Sequence, residues 1–152
     1  MDRKVKKTDA KEITALDVRN ERAQRIASSM SFAASEAYKL LRTNLMFSFS
    51  GGEKCKIIGM TSSFPGEGKS LTSINLAYTL AEARKKVLLI EGDMRLPTLA
   101  NRLNLAESPG LTSLLVGISS VGEAIQTFTV RMDDGESVDV DVMVSGGTPP
   151  NP

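Results

Sequence analysis

The chain has 152 residues, with 19 Lys and Arg against 18 Asp and Glu and 41% hydrophobic residues, enough for one domain with a core. The net charge of +1 argues against a broad nucleic-acid footprint, so no nucleic-acid partner is expected. The absence of histidine and the single cysteine, Cys55, exclude His-based acid–base chemistry, His or Cys-rich metal sites and an intrachain disulfide.

The charged start has no apolar h-region behind it, and no apolar run reaches the roughly 18–20 residues of a membrane span. The sequence therefore reads as cytoplasmic. Residues 1–28 are polar and open on the basic stretch "MDRKVKKTDAK". They are expected to form a flexible arm, solvated or touching an acidic surface. From Phe32 to Phe49 the spacing of Ala37, Leu40, Leu41, Leu45 and Met46 predicts an amphipathic helix, ended by "SGG" at 50–52. "KIIGMTS" (56–62) then reads as a buried strand. "SLTSINLAYTLAEARKK" predicts a helix with Leu71, Ile74, Ala77, Tyr78 and Ala81 on one face. Its last turn would be basic through Arg84, Lys85 and Lys86.

"VLLIEGD" (87–93) reads as a second strand, covered on both faces as in a parallel sheet. Strand, loop, helix and strand would make a βαβ unit. "LPTLANRLN" predicts a short helix with Pro97 near its first turn. "GLTSLLVG" and "SVGEAIQ" predict two more helical pieces. "FTVRM" and "SVDVDVMVS" predict a hairpin turning at Asp134-Gly135. Its alternation puts Val138, Val140, Val142 and Val144 on one face and Asp139 and Asp141 on the other. The breaker-rich "SGGTPPNP" ends the chain.

The chemistry concentrates at residues 63–70, Ser63-Phe64-Pro65-Gly66-Glu67-Gly68-Lys69-Ser70. This window fits the Walker A pattern G-x-x-x-x-G-K-[ST] except that serine holds the first position. Gly66 and Gly68 let backbone N–H groups approach phosphate oxygens. Lys69 puts a cation on the β- and γ-phosphates, and the Ser70 hydroxyl can ligate Mg²⁺. The helix N-terminus attracts the anion. Residues 63–71, Leu71 included, are the expected nucleotide-binding segment. Glu91 and Asp93 follow the next strand, where open α/β sheets bind ligands. Either acid could serve the metal or take a proton from an attacking hydroxyl.

In combination, "SEAYKLLRTNL", "TSSFPGEGKSLTSINLA", "KVLLIEGDMRLP", "GLTSLLVG" and "SGGTPPNP" resemble the bacterial tyrosine kinases of capsule and exopolysaccharide synthesis, over about residues 33–152. "LLIEGDMR" matches that family's Walker A′ motif, here 87–95, with Glu91 where an aspartate is usual. The resemblance implies a P-loop NTPase-like α/β fold with a mostly parallel sheet flanked by helices. It also implies ATP and Mg²⁺ as cofactors, with Lys69, Asp93 and Glu91 catalytic and Ser70 and Asp93 at the metal. Further expectations are tyrosine autophosphorylation, a membrane-embedded activator of polysaccharide export, and a place at the inner face of the membrane through that activator.

The family's Glu-x-x-Arg-x-x-Arg motif of homo-oligomer formation maps onto Glu36, Lys39 and Arg42, with lysine in the middle place. Residues 29–152 then read as a partial kinase domain. The family's Walker B strand and C-terminal tyrosine cluster are not in this sequence, whose tyrosines are Tyr38 and Tyr78. A domain lacking a central strand is expected to be poorly soluble or molten. Two other readings stay open: a partitioning- or division-site-type ATPase switch, although no lysine stands early in the loop, and a non-catalytic nucleotide-binding or oligomerisation module.

Overall fold

The computed structural model describes residues 26–49, 55–132 and 135–147, and the alternating valines near its end form the centre of the core. Val138, Val140, Val142 and Val144 are all buried, at 7%, 2%, 0% and 1% exposure. Successive side chains of a strand point to opposite faces, so this alternation fixes which face turns inward. The strand that carries the first three, Ser137–Met143, is the middle of three. It is β3; β1 is Leu88–Ile90 and β2 is Gln126–Arg131.

β1 pairs with β3 in parallel, Leu89 opposite Val142, while β2 pairs antiparallel, Phe128 opposite Val140. The predicted hairpin is therefore present, with Gly135 at φ 85° in its turn; Asp134 lies outside the described residues. Asp139 and Asp141 are exposed, as the alternation requires, and accept hydrogen bonds from Thr129 (2.7 Å) and Thr127 (3.4 Å) across the strands.

Five helices accompany the sheet in the described residues: α1 Phe32–Ser48, α2 Lys69–Glu82, α3 Leu99–Leu103, α4 Leu111–Leu115 and α5 Val121–Ala124. α2 supplies the other half of the core. Ile74, Ala77, Tyr78 and Ala81 are buried, as its periodicity predicts. Each such side chain is worth about 1.5–3 kcal/mol when fully removed from water if it is the size of isoleucine. α2 stops at Glu82, so Arg84, Lys85 and Lys86 lie beyond the helix and not in its last turn. Arg84 stands at φ 61° and pairs with Glu136 at 2.8 Å.

Two expectations are corrected. Residues 56–62 form no strand: Ile57 is 93% exposed, and no ladder joins the segment to β1. A strand needs a neighbour's N–H and C=O groups, and this segment pairs with none of the three strands among the described residues. The parallel pair is thus β1 with β3, not 56–62 with β1. Second, β1 is not covered on both faces. Leu88 and Ile90 are 43% and 51% exposed, because Leu88 shares with its partner Asp141 the open face of the sheet.

Within the segment read as an arm, residues 26–28 are described. Ala27 begins a 3₁₀ turn at Ala27–Ser29, is buried, and donates its N–H to Asn75 Oδ1 at 2.9 Å. α1 forms as predicted, capped by Ser31, which accepts from the Ala34 N–H. Its apolar stripe is not sequestered, however, and no α1 residue is buried. Residues 1–25, the "SGG" stop at 50–52 and residues 148–152 lie outside the described residues. No helix among the described residues is long and apolar enough to cross a membrane.

Candidate phosphate-binding site

The glycine-rich loop runs directly into α2. Gly68 is the helix N-cap at φ 94°, and Gly66 stands at φ 83°. Both are left-handed conformations that cost an L-residue about 1–2 kcal/mol. Nothing lies within 4 Å of where a Cβ would project from either glycine. The requirement is thus backbone conformation together with open space on the loop. Thr72 N–H closes the first helical hydrogen bond on Gly68 O at 2.8 Å, so the N–H groups ahead of it remain at the helix entrance.

Lys69 is half-buried and its Nζ donates to Ser62 Oγ at 2.9 Å. Ser62 Oγ in turn donates to Phe64 O at 2.9 Å. The ammonium is therefore folded back along the loop it serves. Ser70 and Leu71 are half-buried in the first turn of α2, and Ser63, Phe64 and Pro65 are exposed. Glu67 Oε2 accepts from the Phe64 N–H at 3.2 Å. A carboxylate of the loop thus holds one of the loop's own donors. Sequence reasoning did not assign Ser62. Its one signal was a hydroxyl immediately ahead of the pattern.

The two acids after β1 are placed in unlike surroundings. Asp93 is exposed, and its Oδ1 accepts from the N–H groups of Arg95 (3.2 Å) and Leu96 (3.0 Å) in a local turn. Glu91 is buried at 8% exposure, with both carboxylate oxygens on backbone N–H groups. The sequence offered either acid for the site, and the structure gives them unlike surroundings, Glu91 buried and Asp93 exposed. No three His, Cys, Asp or Glu side chains converge among the described residues. A Mg²⁺ ion here would draw protein oxygens from Ser70 and Asp93 and the rest from phosphate and water, its usual habit.

Glu36, Lys39 and Arg42 of α1 do not form one outward set. Lys39 Nζ pairs with Glu36 Oε1 at 3.0 Å on the exposed side. Arg42 turns toward α2, donating to Thr79 O at 2.6 Å and lying 3.5 Å from Glu82. Two shallow cavities of about 230 and 250 Å³ lie away from the loop, one by Arg84 and Glu136, the other by Arg42 and Phe47. Neither bears on phosphate. A phosphate cradle is a surface ring of N–H groups, not an apolar hollow.

No family model matches the chain. Its sequence is 42% identical over 118 residues to "Tyrosine-protein kinase YwqD" of Bacillus subtilis (strain 168), covering 78% of this chain and 46% of that protein. It is 36% identical over 118 residues to "Putative tyrosine-protein kinase CapB" of Staphylococcus aureus, covering 78% and 48%. The fold superposes on the kinase domain of Escherichia coli tyrosine kinase ETK with TM-score 0.68 and 33% identity, over 78% of this chain and 43% of that one. It superposes on the chimerical protein CapA2B2 with TM-score 0.64 and 38% identity, over 76% and 47%. The chain spans about half the length of the curated relatives it matches. By sequence and by fold together, it is a relative of the bacterial tyrosine-protein kinases, matching them over that half.

Proposed function

We propose that this chain carries the nucleotide-binding part of an ATP-dependent protein-tyrosine kinase that regulates capsular or exopolysaccharide synthesis. The observation behind this reading is the order of groups along the chain. Two left-handed glycines, Lys69 and Ser70 open α2, and Asp93 follows the carboxyl end of β1. The open space above both glycines and the cation beside them suit a nucleotide triphosphate. Bound Mg·ATP would supply the γ-phosphoryl group, with the metal neutralising phosphate charge.

In this reading residues 63–71 hold the phosphates. Lys69 leaves Ser62 to stabilise charge on the transferring group, a role that rests on positioning and electrostatics. Ser70 and Asp93 would hold the metal, and Asp93 would take the phenol proton as the tyrosine oxygen bonds to the γ-phosphorus, the bond to the β-phosphate oxygen breaks and ADP leaves. The protein substrates are tyrosine-bearing chains. The activator is a membrane-embedded protein of polysaccharide export, which would hold this domain at the cytoplasmic face of the membrane. Self-association uses the exposed α1 face of Glu36 and Lys39, with Arg42 fixing the helix that presents them.

A thermal-shift titration with Mg·ATP, run beside Lys69→Ala, tests the reading. A saturable stabilisation of about 2.7 kcal/mol at 100 times Kd is expected for the wild type. It should be absent in the variant. Equal shifts in both proteins would refute the assignment.

A further inference from the structure

Glu91 is the one charged side chain among the described residues that is buried. A buried carboxylate is costly unless its oxygens are satisfied. Here they are satisfied by backbone alone. Oε1 accepts from the N–H groups of Thr98 at 2.6 Å and Leu99 at 2.9 Å, and Oε2 accepts from Ser145 N–H at 3.3 Å. Thr98 is the N-cap of α3 and makes no side-chain cap of its own. Glu91 thus satisfies the N-terminal donors of α3 from a distance in sequence, where a negative charge is also favoured by the helix dipole.

Backbone bonds at Glu91 and beside its partner Ser145 extend the tie. Glu91 N–H donates to Met143 O at 3.0 Å, extending the parallel pairing beyond β1. Ser145, held by Oε2, offers its carbonyl to Thr112 N–H at 2.8 Å, and Val144 O accepts from Leu111 N–H at 2.8 Å. The side chain therefore joins the exits of β1 and β3, and through them the start of α4, to the start of α3. It also closes a loop. Glu91 and Thr98 are seven residues apart, and Asp93 stands between them.

We propose that Glu91 is a positioning residue: it clamps the 91–98 loop shut and so fixes where Asp93 stands, without touching metal or substrate. This rests on the kinase reading for the role of Asp93, but the clamp itself does not. Glutamate is required by reach. An aspartate would withdraw its oxygens by about one C–C bond, roughly 1.5 Å, taking the Thr98 and Leu99 contacts outside hydrogen-bond range. A glutamine keeps one acceptor at full reach for those two amides and turns an NH₂ toward Ser145.

The clamp and a metal-binding acid thus rank the replacements oppositely. Glu91→Gln, Glu91→Asp and Glu91→Ala are made in the 152-residue chain. Amide hydrogen exchange is followed without nucleotide, and Mg·ATP affinity by thermal shift. Exchange at Thr98 and Leu99 should quicken about tenfold or more in Glu91→Asp and Glu91→Ala, and distinctly less in Glu91→Gln. Ser145 should quicken in all three. Mg·ATP affinity should fall in the same order, Gln above Asp and Ala. Asp93→Asn should leave the three amides protected while weakening Mg·ATP.

Unchanged exchange in Glu91→Asp, or Asp outperforming Gln in Mg·ATP affinity, would overturn the proposal. If one variant does not fold, a folded Gln form beside an unfolded Asp form supports the clamp, and the reverse refutes it. If no form binds Mg·ATP, the exchange data still decide the clamp, and it is the kinase reading that fails.

Discussion

Arg42 donates from α1 to the carbonyl oxygen of Thr79 at 2.6 Å. Thr79 sits in α2 with its own hydroxyl on Asn75 O at 2.7 Å. Since no residue of α1 is buried, this bond is a principal tie between the two helices. The residue that the resemblance assigned to assembly between copies is here engaged within one. Arg42→Ala should lower stability by about 1.5–3 kcal/mol, the range for a hydrogen bond to a charged group. Glu82→Ala should lower it by under about 1 kcal/mol, as befits a half-exposed ion pair at 3.5 Å. Denaturant titration of both variants checks the order. An Arg42→Ala protein as stable as wild type would show that α1 is held by other contacts.

Gly110 fits against the chain beyond β3. A Cβ there would fall 2.5 Å from Gly146 N and closer still to Val144 O, and both neighbours are backbone. Nothing can rotate away, so Gly110→Ala should destabilise by about 1–3 kcal/mol, the usual range for overpacking. Gly122→Ala, with nothing within 4 Å, is the control and should be close to neutral. Thermal melts of the pair would separate them.

On the proposed reading, Glu67 would compete with phosphate. Its carboxylate holds the Phe64 N–H at 3.2 Å and adds negative charge to the glycine-rich loop. Glu67→Gln should therefore tighten Mg·ATP binding by up to about fivefold, equivalent to the roughly 1 kcal/mol ceiling of an exposed charge interaction. Calorimetric titration at low and at high salt measures it, and the gain should shrink with salt. A weaker Kd in Glu67→Gln would mean that the acid supports the bound loop.

One group responds to pH in a stated direction. The backbone N–H of Ser120 and then its hydroxyl hold the Glu123 carboxyl below the usual carboxylate range. The two residues form a capping box on α5. A depressed folded pKa contributes stability that is full above the unfolded pKa and lost as pH falls through the folded one. α5 should therefore fray on acidification below the ordinary carboxylate range, and Glu123→Gln should weaken that dependence. Amide exchange at Ser120 across acidic pH reads both.

The open edge of β1 predicts behaviour in solution. Leu88 and Ile90 are exposed, and β1 pairs on one side with β3. Unpaired apolar edges associate, so Ile90→Lys should raise the soluble fraction at a given concentration and reduce binding of an apolar dye. An unaltered soluble fraction would locate the association surface elsewhere, with α1 and its exposed Phe32 and Phe47 next to be tested.

Local sequence determined a good deal of this protein. The valine alternation announced β3 and its solvent-facing aspartates, because strand periodicity is a property of the backbone. Gly66, Gly68, Lys69 and Ser70 announced a glycine-rich loop that opens a helix, because left-handed turns are carried by residue type. Tertiary structure alone decided three things. It left 56–62 without a ladder, since pairing depends on which segments the fold lays side by side, not on apolar content. It drew Arg42 inward, since a long side chain takes the partner that the neighbouring helix offers. It also gave Glu91 and Asp93 unlike surroundings. Two acids in one short motif look alike in sequence, but the burial of one beside the Thr98, Leu99 and Ser145 amides, residues 7 to 54 positions away, is set only when the chain folds.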